Sequence, residues 1–205
     1  MAGSTSRIGV LALQGDVREH VSVLRALGIE PVEVRTASHL DSVDALVVPG
    51  GESTVIDKLS RLFDLFEPIK QRIRAGMPGL GTCAGLIMLA DDLADGTSDQ
   101  QTFGGLDVTV RRNAFGAQVD SFETKLVIPS VSNEPIQATF IRAPIIERAG
   151  ESVEILARLD DGRIVAASQG NLIGISFHPE VSGETRIHSY FMDRVNMYLK
   201  HNSIK

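Results

Sequence analysis

The apolar positions of this chain alternate between two rhythms. Residues 8–13 (Ile8-Gly9-Val10-Leu11-Ala12-Leu13) form a near-continuous apolar run, as in a strand buried on both faces of a parallel sheet. Gln14-Gly15-Asp16 turns the chain, with Asp16 as N-cap of a helix that repeats Val17, Val21, Leu24 and Leu27 and closes at Gly28. Strands follow at residues 31–35 and 43–48, the second running into Pro49-Gly50-Gly51-Glu52-Ser53-Thr54. A helical pattern from Val55 and Ile56 sets Leu59, Leu62, Phe63 and Phe66 on one face. Pro68 starts a further helix, carried by Ile69 and Ile73 and stopped by Gly76, and residues 78–90 read as strand, tight turn and helix. This order predicts a doubly wound sheet, with its ligand site beside the carboxyl ends of the strands.

After Ala90 the texture changes. Residues 91–105 are polar and turn-rich and read as a surface loop. Strand-like runs then recur at 106–110, 137–142, 153–158, 164–168 and 172–177. Asp160-Asp161-Gly162 and Gln169-Gly170-Asn171 are the hairpin turns between the last of them. Antiparallel additions to the parallel sheet are the expectation. Residues 184–200 form a closing amphipathic helix, with Ile187, Phe191, Val195 and Tyr198 on one face. No repeat or linker interrupts the chain, so one domain over residues 1–205 is expected, with residues 1–6 a frayed tail.

Composition narrows the possibilities. The 205 residues suffice for a sizeable core, and 43% hydrophobic with 22% charged residues is an ordinary globular balance. A net charge of −6 argues against a nucleic-acid or anionic-membrane surface. A single cysteine makes no internal disulfide, which points to a reducing, cytoplasmic setting. The N-terminal residues lack the apolar core of a signal peptide, and no apolar run is long enough to span a bilayer.

That cysteine sits in Gly81-Thr82-Cys83-Ala84-Gly85, between an apolar lead-in and a helix-forming run. G-x-C-x-G at a strand-to-helix junction has the form of a nucleophile elbow, in which glycines relieve crowding around a raised side chain. A helix N-terminus beside the thiol favours thiolate. Cys83 alone reads equally as a small buried hydrophobe. Phe177-His178-Pro179-Glu180 follows the last apolar run and offers what a thiol needs: a base, His178, and an acceptor, Glu180, to hold its tautomer. Gly50-Gly51 lets backbone N–H groups face a site, and the Ala84 N–H is a natural second oxyanion donor. Arg112 and Arg142 are candidate clamps for a carboxylate, or surface ion-pair partners. His20, His39, His188 and His201 have no evident partner and read as structural or solvated. No metal-ligand spacing occurs, and no metal or cofactor is expected.

Six segments together resemble one family: residues 9–16, Pro49-Gly50-Gly51-Glu52-Ser53-Thr54, the Cys83 elbow, Arg112-Asn113-Ala114-Phe115-Gly116, Phe140-Ile141-Arg142-Ala143-Pro144 and the His178 segment. In order and spacing they are similar to the glutaminase subunits of pyridoxal 5′-phosphate synthases, over nearly the whole chain. The resemblance implies a flavodoxin-like three-layer α/β/α fold of the class I glutamine amidotransferase type. It implies hydrolysis of L-glutamine to glutamate and ammonia, with ammonia passing to a (β/α)8-barrel synthase subunit. Carried over residue by residue, Cys83 is the nucleophile, His178 the base and Glu180 its orienter, with Gly51 and Ala84 as oxyanion donors. Gly51, Glu52, Ser53, Arg112, Ile141 and Arg142 would hold glutamine. Ala117, where the family pattern expects a larger polar residue, and Val181-Ser182-Gly183 depart from it. The alternatives are a glutaminase serving another synthase, against which Ala84 and Ile87 in the elbow weigh, and a non-catalytic regulatory module on the same fold.

Overall fold

The computed structural model describes residues 6–96, 99–114 and 121–202. The N-terminal half runs β1 (Ile8–Leu11), α1 (Val17–Ala26), β2 (Val32–Val34), α2 (Ala37–Asp41), β3 (Ala45–Val48), α3 (Ser53–Leu62), α4 (Phe66–Arg74), β4 (Gly79–Thr82) and α5 (Ala84–Leu89). The remainder runs β5 (Ala90–Leu93), β6 (Leu106–Arg111), β7 (Ser121–Ile128), β8 (Ser132–Ile141), β9 (Ile145–Ala149), β10 (Glu154–Arg158), β11 (Ile164–Gln169), β12 (Leu172–Ile175) and α6 (Arg186–Asn202).

Ten strands form one sheet in the order β2-β1-β3-β4-β12-β11-β9-β6-β5, with β10 also paired to β11. The stretch from β2 to β12 is parallel throughout, and β11, β9 and β10 add antiparallel pairings. The parallel strands bury both faces, which is why they are continuous apolar runs: β1, β3, β4 and β12 are buried at every position. Alternate residues feed opposite cores. Ala45 and Val47 join Val21, Leu24, Ile187 and Phe191 under α1 and α6, while Leu46 and Val48 join Ile56, Phe66 and Ile69 under α3 and α4. Three α/β/α layers result, with the mostly parallel sheet and antiparallel additions that were expected.

Several elements differ from expectation. Ala90–Leu93, within the expected loop, is an edge strand paired parallel to β6; its exposed Asp91 and Asp92 carry no apolar signal, and the neighbouring strand decides its conformation. β7 and β8 pair only with each other, as a separate hairpin rather than an addition to the sheet, with Phe122 stacked on Phe140 at 4.6 Å. α2, β7 and β9 had no counterpart in the pattern; α2 and β9 are only five residues long. α3 buries Ser53, Ile56, Asp57 and Ser60, whereas Leu62 and Phe63 are 70% and 51% exposed. Polar Asp57 is held inside by Arg61 at 2.8 Å and the Gln101 amide at 3.2 Å, which rotates the helix away from its apolar count. α4 begins two residues before Pro68, whose missing N–H is harmless in a first turn. Residues 1–5, and with them most of the expected tail, lie outside the described residues.

The difference in burial predicts a contrast. Phe140, 1% exposed under β7 and beside Phe177, should cost about 3–5 kcal/mol on change to Ala. Leu62→Ala should stay within about 0.5 kcal/mol. Urea unfolding midpoints of the two variants check this.

Candidate active site

The elbow forms where β4 ends between β3 and β12. The Cys83 amide donates to the Ile175 carbonyl at 2.8 Å, so the strand pairing runs up to the cysteine itself. Cys83 then adopts φ 48° and ψ −103° and caps α5. A non-glycine residue held there stores about 1–3 kcal/mol, sustained only if the surroundings dictate it. They do: a Cβ at Gly81 would lie 2.4 Å from the Gly85 carbonyl oxygen, and one at Gly85 only 1.9 Å from that of Val48. Three backbone segments cross with no side chain between them, and the thiol is lifted to the floor of a cleft.

His178 follows β12 and is fixed from three sides. Its amide donates to the Thr139 carbonyl on β8 at 2.8 Å, and its ring packs on Gly50, where a Cβ would fall 2.4 Å from Cε1. Its Nδ1 lies 2.8 Å from Glu180 Oε1 and 3.2 Å from Asp16 Oδ2. Burial opposes the imidazolium, but hydrogen bonds to Asp16, Cys83 and Glu180, and the charge of Cys83, outweigh it and raise the His178 pKa well above the ordinary histidine value. Glu180 is buried behind the ring, and desolvation raises its pKa despite the opposing pull of His178. Its Oε2 has no hydrogen-bond partner among the described residues.

A cleft of about 310 Å³ opens over Cys83 and His178, of a size for a small metabolite. Gly51, Glu52, Ser53, Arg112, Ile141 and Arg142, the residues expected to hold glutamine, all line it. Ala84 lies buried beneath the cysteine as the first residue of α5. Gly51 takes φ 147°, and the next amide, of Glu52, donates to Gln14 Oε1 at 2.8 Å. Arg112 is braced across the cleft: it donates to the Asp95 carbonyl at 2.7 Å and to Gln100 Oε1 at 3.0 Å, and Gln100 in turn donates to Ser53 Oγ at 3.0 Å. Arg142, at φ 42°, is exposed at the rim. Phe115, Gly116 and Ala117 lie outside the described residues. A second depression of about 570 Å³ reaches Glu180 from α1 and is lined by neither Cys83 nor His178.

Sequence reasoning passed over Gln14, Asp16, Ile87 and Asn113, which also line the cleft. Gln14 and Asp16 follow β1, so the strand-end rule could have found them. Asp16 occupies the N-cap of α1 but makes no side-chain capping bond; its carboxylate turns to His178 instead. His20 and His188, expected to lack partners, are buried against each other with 2.9 Å between Nδ1 and Nε2. Asp16, His178 and Glu180 bring three potential ligand atoms within 4.8 Å of one another, but His178 Nδ1 is engaged by both carboxylates.

A strained cysteine elbow on this parallel sheet, facing a buried histidine and carboxylate, is the architecture of class I glutamine amidotransferases. A solved structure described as "Crystal structure of glutamine amidotransferase" matches with a TM-score of 0.86 at 46% identity, covering 92% of this chain and 98% of that one. The chain belongs to the SNO glutamine amidotransferase family, whose model matches residues 10–197. It is 58% identical to "Pyridoxal 5'-phosphate synthase subunit PdxT" of Nocardioides sp., over 92% of this chain and 95% of the relative. To the protein of the same name from Leifsonia xyli subsp. xyli it is 57% identical, over 96% and 98%. A glutamine amidotransferase from Thermotoga maritima, at 15% identity and a TM-score of 0.61 over 95% of this chain and 86% of that one, shares the fold.

Asp16 provides a pH test. Its carboxylate helps to raise the His178 pKa, so Asp16→Asn should make the imidazolium lose its proton at lower pH than in the unaltered protein. NMR titration of the His178 ring measures this; an unchanged midpoint would remove Asp16 from the electrostatics of the base.

Proposed function

We propose that this protein is the glutaminase subunit of a pyridoxal 5′-phosphate synthase, a single-domain cytoplasmic enzyme that hydrolyses L-glutamine and passes ammonia to a (β/α)8-barrel synthase subunit. The observation that carries the reading is Cys83 on a strained elbow in the same cleft as His178, whose Nδ1 is held by Glu180 at 2.8 Å, in a chain of the SNO family. Identity of 54–58% to eight PdxT subunits supports the partner and the pathway. Among the described residues no helix is long and apolar enough to cross a membrane.

The steps follow from the groups at hand. Cys83 thiolate attacks the side-chain amide carbon of glutamine, and the Gly51 and Ala84 N–H groups receive the oxyanion. His178 imidazolium gives its proton to the departing nitrogen, releasing ammonia and leaving a γ-glutamyl thioester on Cys83. The ring, now neutral, takes a proton from water; hydroxide adds to the thioester carbon, and glutamate leaves as the thiolate re-forms. Glu180 holds one proton of His178 on Nδ1 throughout, so that Nε2 gives and takes the other with the reactants. Around the reacting carbon, Arg112 and Arg142 suit the α-carboxylate and Glu52 the α-ammonium of a free amino acid, with Ser53 and Ile141 shaping the walls. Docking of the barrel subunit is expected to order the oxyanion peptide at Gly51, and the free subunit to be slower. No cofactor is required.

Cys83→Ala should lower glutamine-dependent ammonia release by about 10³-fold or more. Adding the barrel synthase subunit should raise release by the unaltered protein and drive glutamine-dependent pyridoxal phosphate formation. Persistent release by Cys83→Ala would remove the nucleophile assignment.

A further inference from the structure

Behind the catalytic groups lies a buried pair that the reaction as written does not use. His20 from α1 and His188 from α6 are both fully buried. His20 Nδ1 lies 2.9 Å from His188 Nε2, and on its other side His20 Nε2 lies 3.1 Å from Thr82 Oγ1 and 3.5 Å from Glu180 Oε1. Thr82 is the last residue of β4, immediately before Cys83, and Glu180 is the acceptor of His178. One imidazole therefore touches the supports of both the nucleophile and the base.

The proton positions can be deduced. The two rings share one N···N axis, which takes a single proton. His188 Nδ1 is buried without a hydrogen-bond partner among the described residues. An orphaned N–H is the rarer and costlier outcome, so His188 carries its proton on Nε2 and donates to His20 Nδ1. His20 then carries its own proton on Nε2, where Thr82 Oγ1 accepts it and Glu180 Oε1 lies at the limit of hydrogen bonding. The opposite arrangement would leave a buried N–H on His188 and set a bare nitrogen lone pair against the Glu180 carboxylate. It fails at both ends. Burial also disfavours a charge on either ring: His20 is held well below the ordinary value by desolvation and then by His188 and His178, and His188 is lowered to about 4 by desolvation.

We propose that His20 is a positioning residue for this reaction: tautomerically set by His188, it directs its Nε2–H at Thr82 and Glu180 and so locks the orienting carboxylate to the strand end that carries the nucleophile. Glu180 Oε1 thereby faces two donors, His178 Nδ1–H and His20 Nε2–H, although the carboxylate is buried and its Oε2 has none. Donors stabilise the charged form, so loss of His20 makes Glu180 protonate at higher pH and release the His178 ring. The titratable and charged groups facing His20 are His188 from α6 and His178 and Glu180 from the segment after β12. The inference rests on the proposed triad, and its tests include readouts that do not need glutamine.

In the unaltered protein, ¹⁵N-resolved imidazole NMR should find His20 and His188 neutral, both with the proton on Nε2, between pH 6 and 8. An Nδ1–H tautomer or an imidazolium at His20 overturns the proposal, whatever the variants do. His20→Leu, assayed with the barrel synthase subunit present, should lower kcat by about 10-fold or more with little change in KM, and should move the acid limb of kcat/KM to higher pH. His20→Gln, which keeps an N–H donor at the same reach, should recover most of the rate. The pH profile of Cys83 alkylation by iodoacetamide should shift in His20→Leu in the same sense. If the unaltered protein hydrolyses no glutamine, the functional reading fails, while the tautomers and the alkylation profile still decide the role of His20. A folded His20→Leu with unaltered kcat and pH limbs overturns the proposal. So does a deficit equal in His20→Leu and His20→Gln that follows only their loss of thermal stability.

Discussion

The structure depends on one close approach: the backbone of Gly85 lies directly on the carbonyl of Val48, with no room for a Cβ. This contact joins the first turn of α5 to the end of β3, while the Cys83 amide ties the same turn to β12 through Ile175. Between these two anchors the chain has one way to pass from strand to helix, and Cys83 takes the positive φ that this path demands. Strain of about 1–3 kcal/mol is small beside what the fully buried sheet and α5 supply, so the elbow persists without a ligand. Gly50, one strand over, is excluded from carrying a side chain by the His178 ring. Cys83 and His178 are thus placed by backbone packing, and their own hydrogen bonds refine a position already set.

Electrostatics then follow from burial. A histidine sealed under β8 and Gly50 would ordinarily be neutral. Asp16, Glu180 and Cys83 reverse that preference, and they come from the ends of β1, β12 and β4. Asp16 illustrates the economy of the arrangement: it occupies a helix N-cap and leaves the capping bond unmade so that its carboxylate reaches the base. Two neutral imidazoles behind Glu180 extend the same logic inward.

How much of this was legible in the sequence varied with the physics of each element. β1, β3, β4 and β12 were visible because a strand buried on both faces must be apolar throughout. Cys83, His178 and the glycines around them were visible because special backbone positions and scarce residue types leave local marks. β5 was not, since two exposed aspartates at a sheet edge look like loop, and α3 was rotated by Asp57, a polar residue whose partners lie at Arg61 and Gln101. The separation of β7 and β8 from the main sheet is a matter of topology and leaves no local mark. Asp16 and the His20–His188 pair were hidden for a related reason. Each acts through contacts more than a hundred residues away along the chain, and a single polar residue in a helix announces no such partner.

The central claim is that Cys83 carries a covalent γ-glutamyl group during turnover. Because the chain has one cysteine, a thioester has one place to form. The direct measurement is rapid acid quenching of the protein with glutamine and the barrel synthase subunit, followed by intact-mass and peptide mass spectrometry. The expected result is a hydroxylamine-sensitive γ-glutamyl adduct on the Cys83 peptide, absent from Cys83→Ala. Ammonia release at full rate with no adduct on that peptide would contradict it.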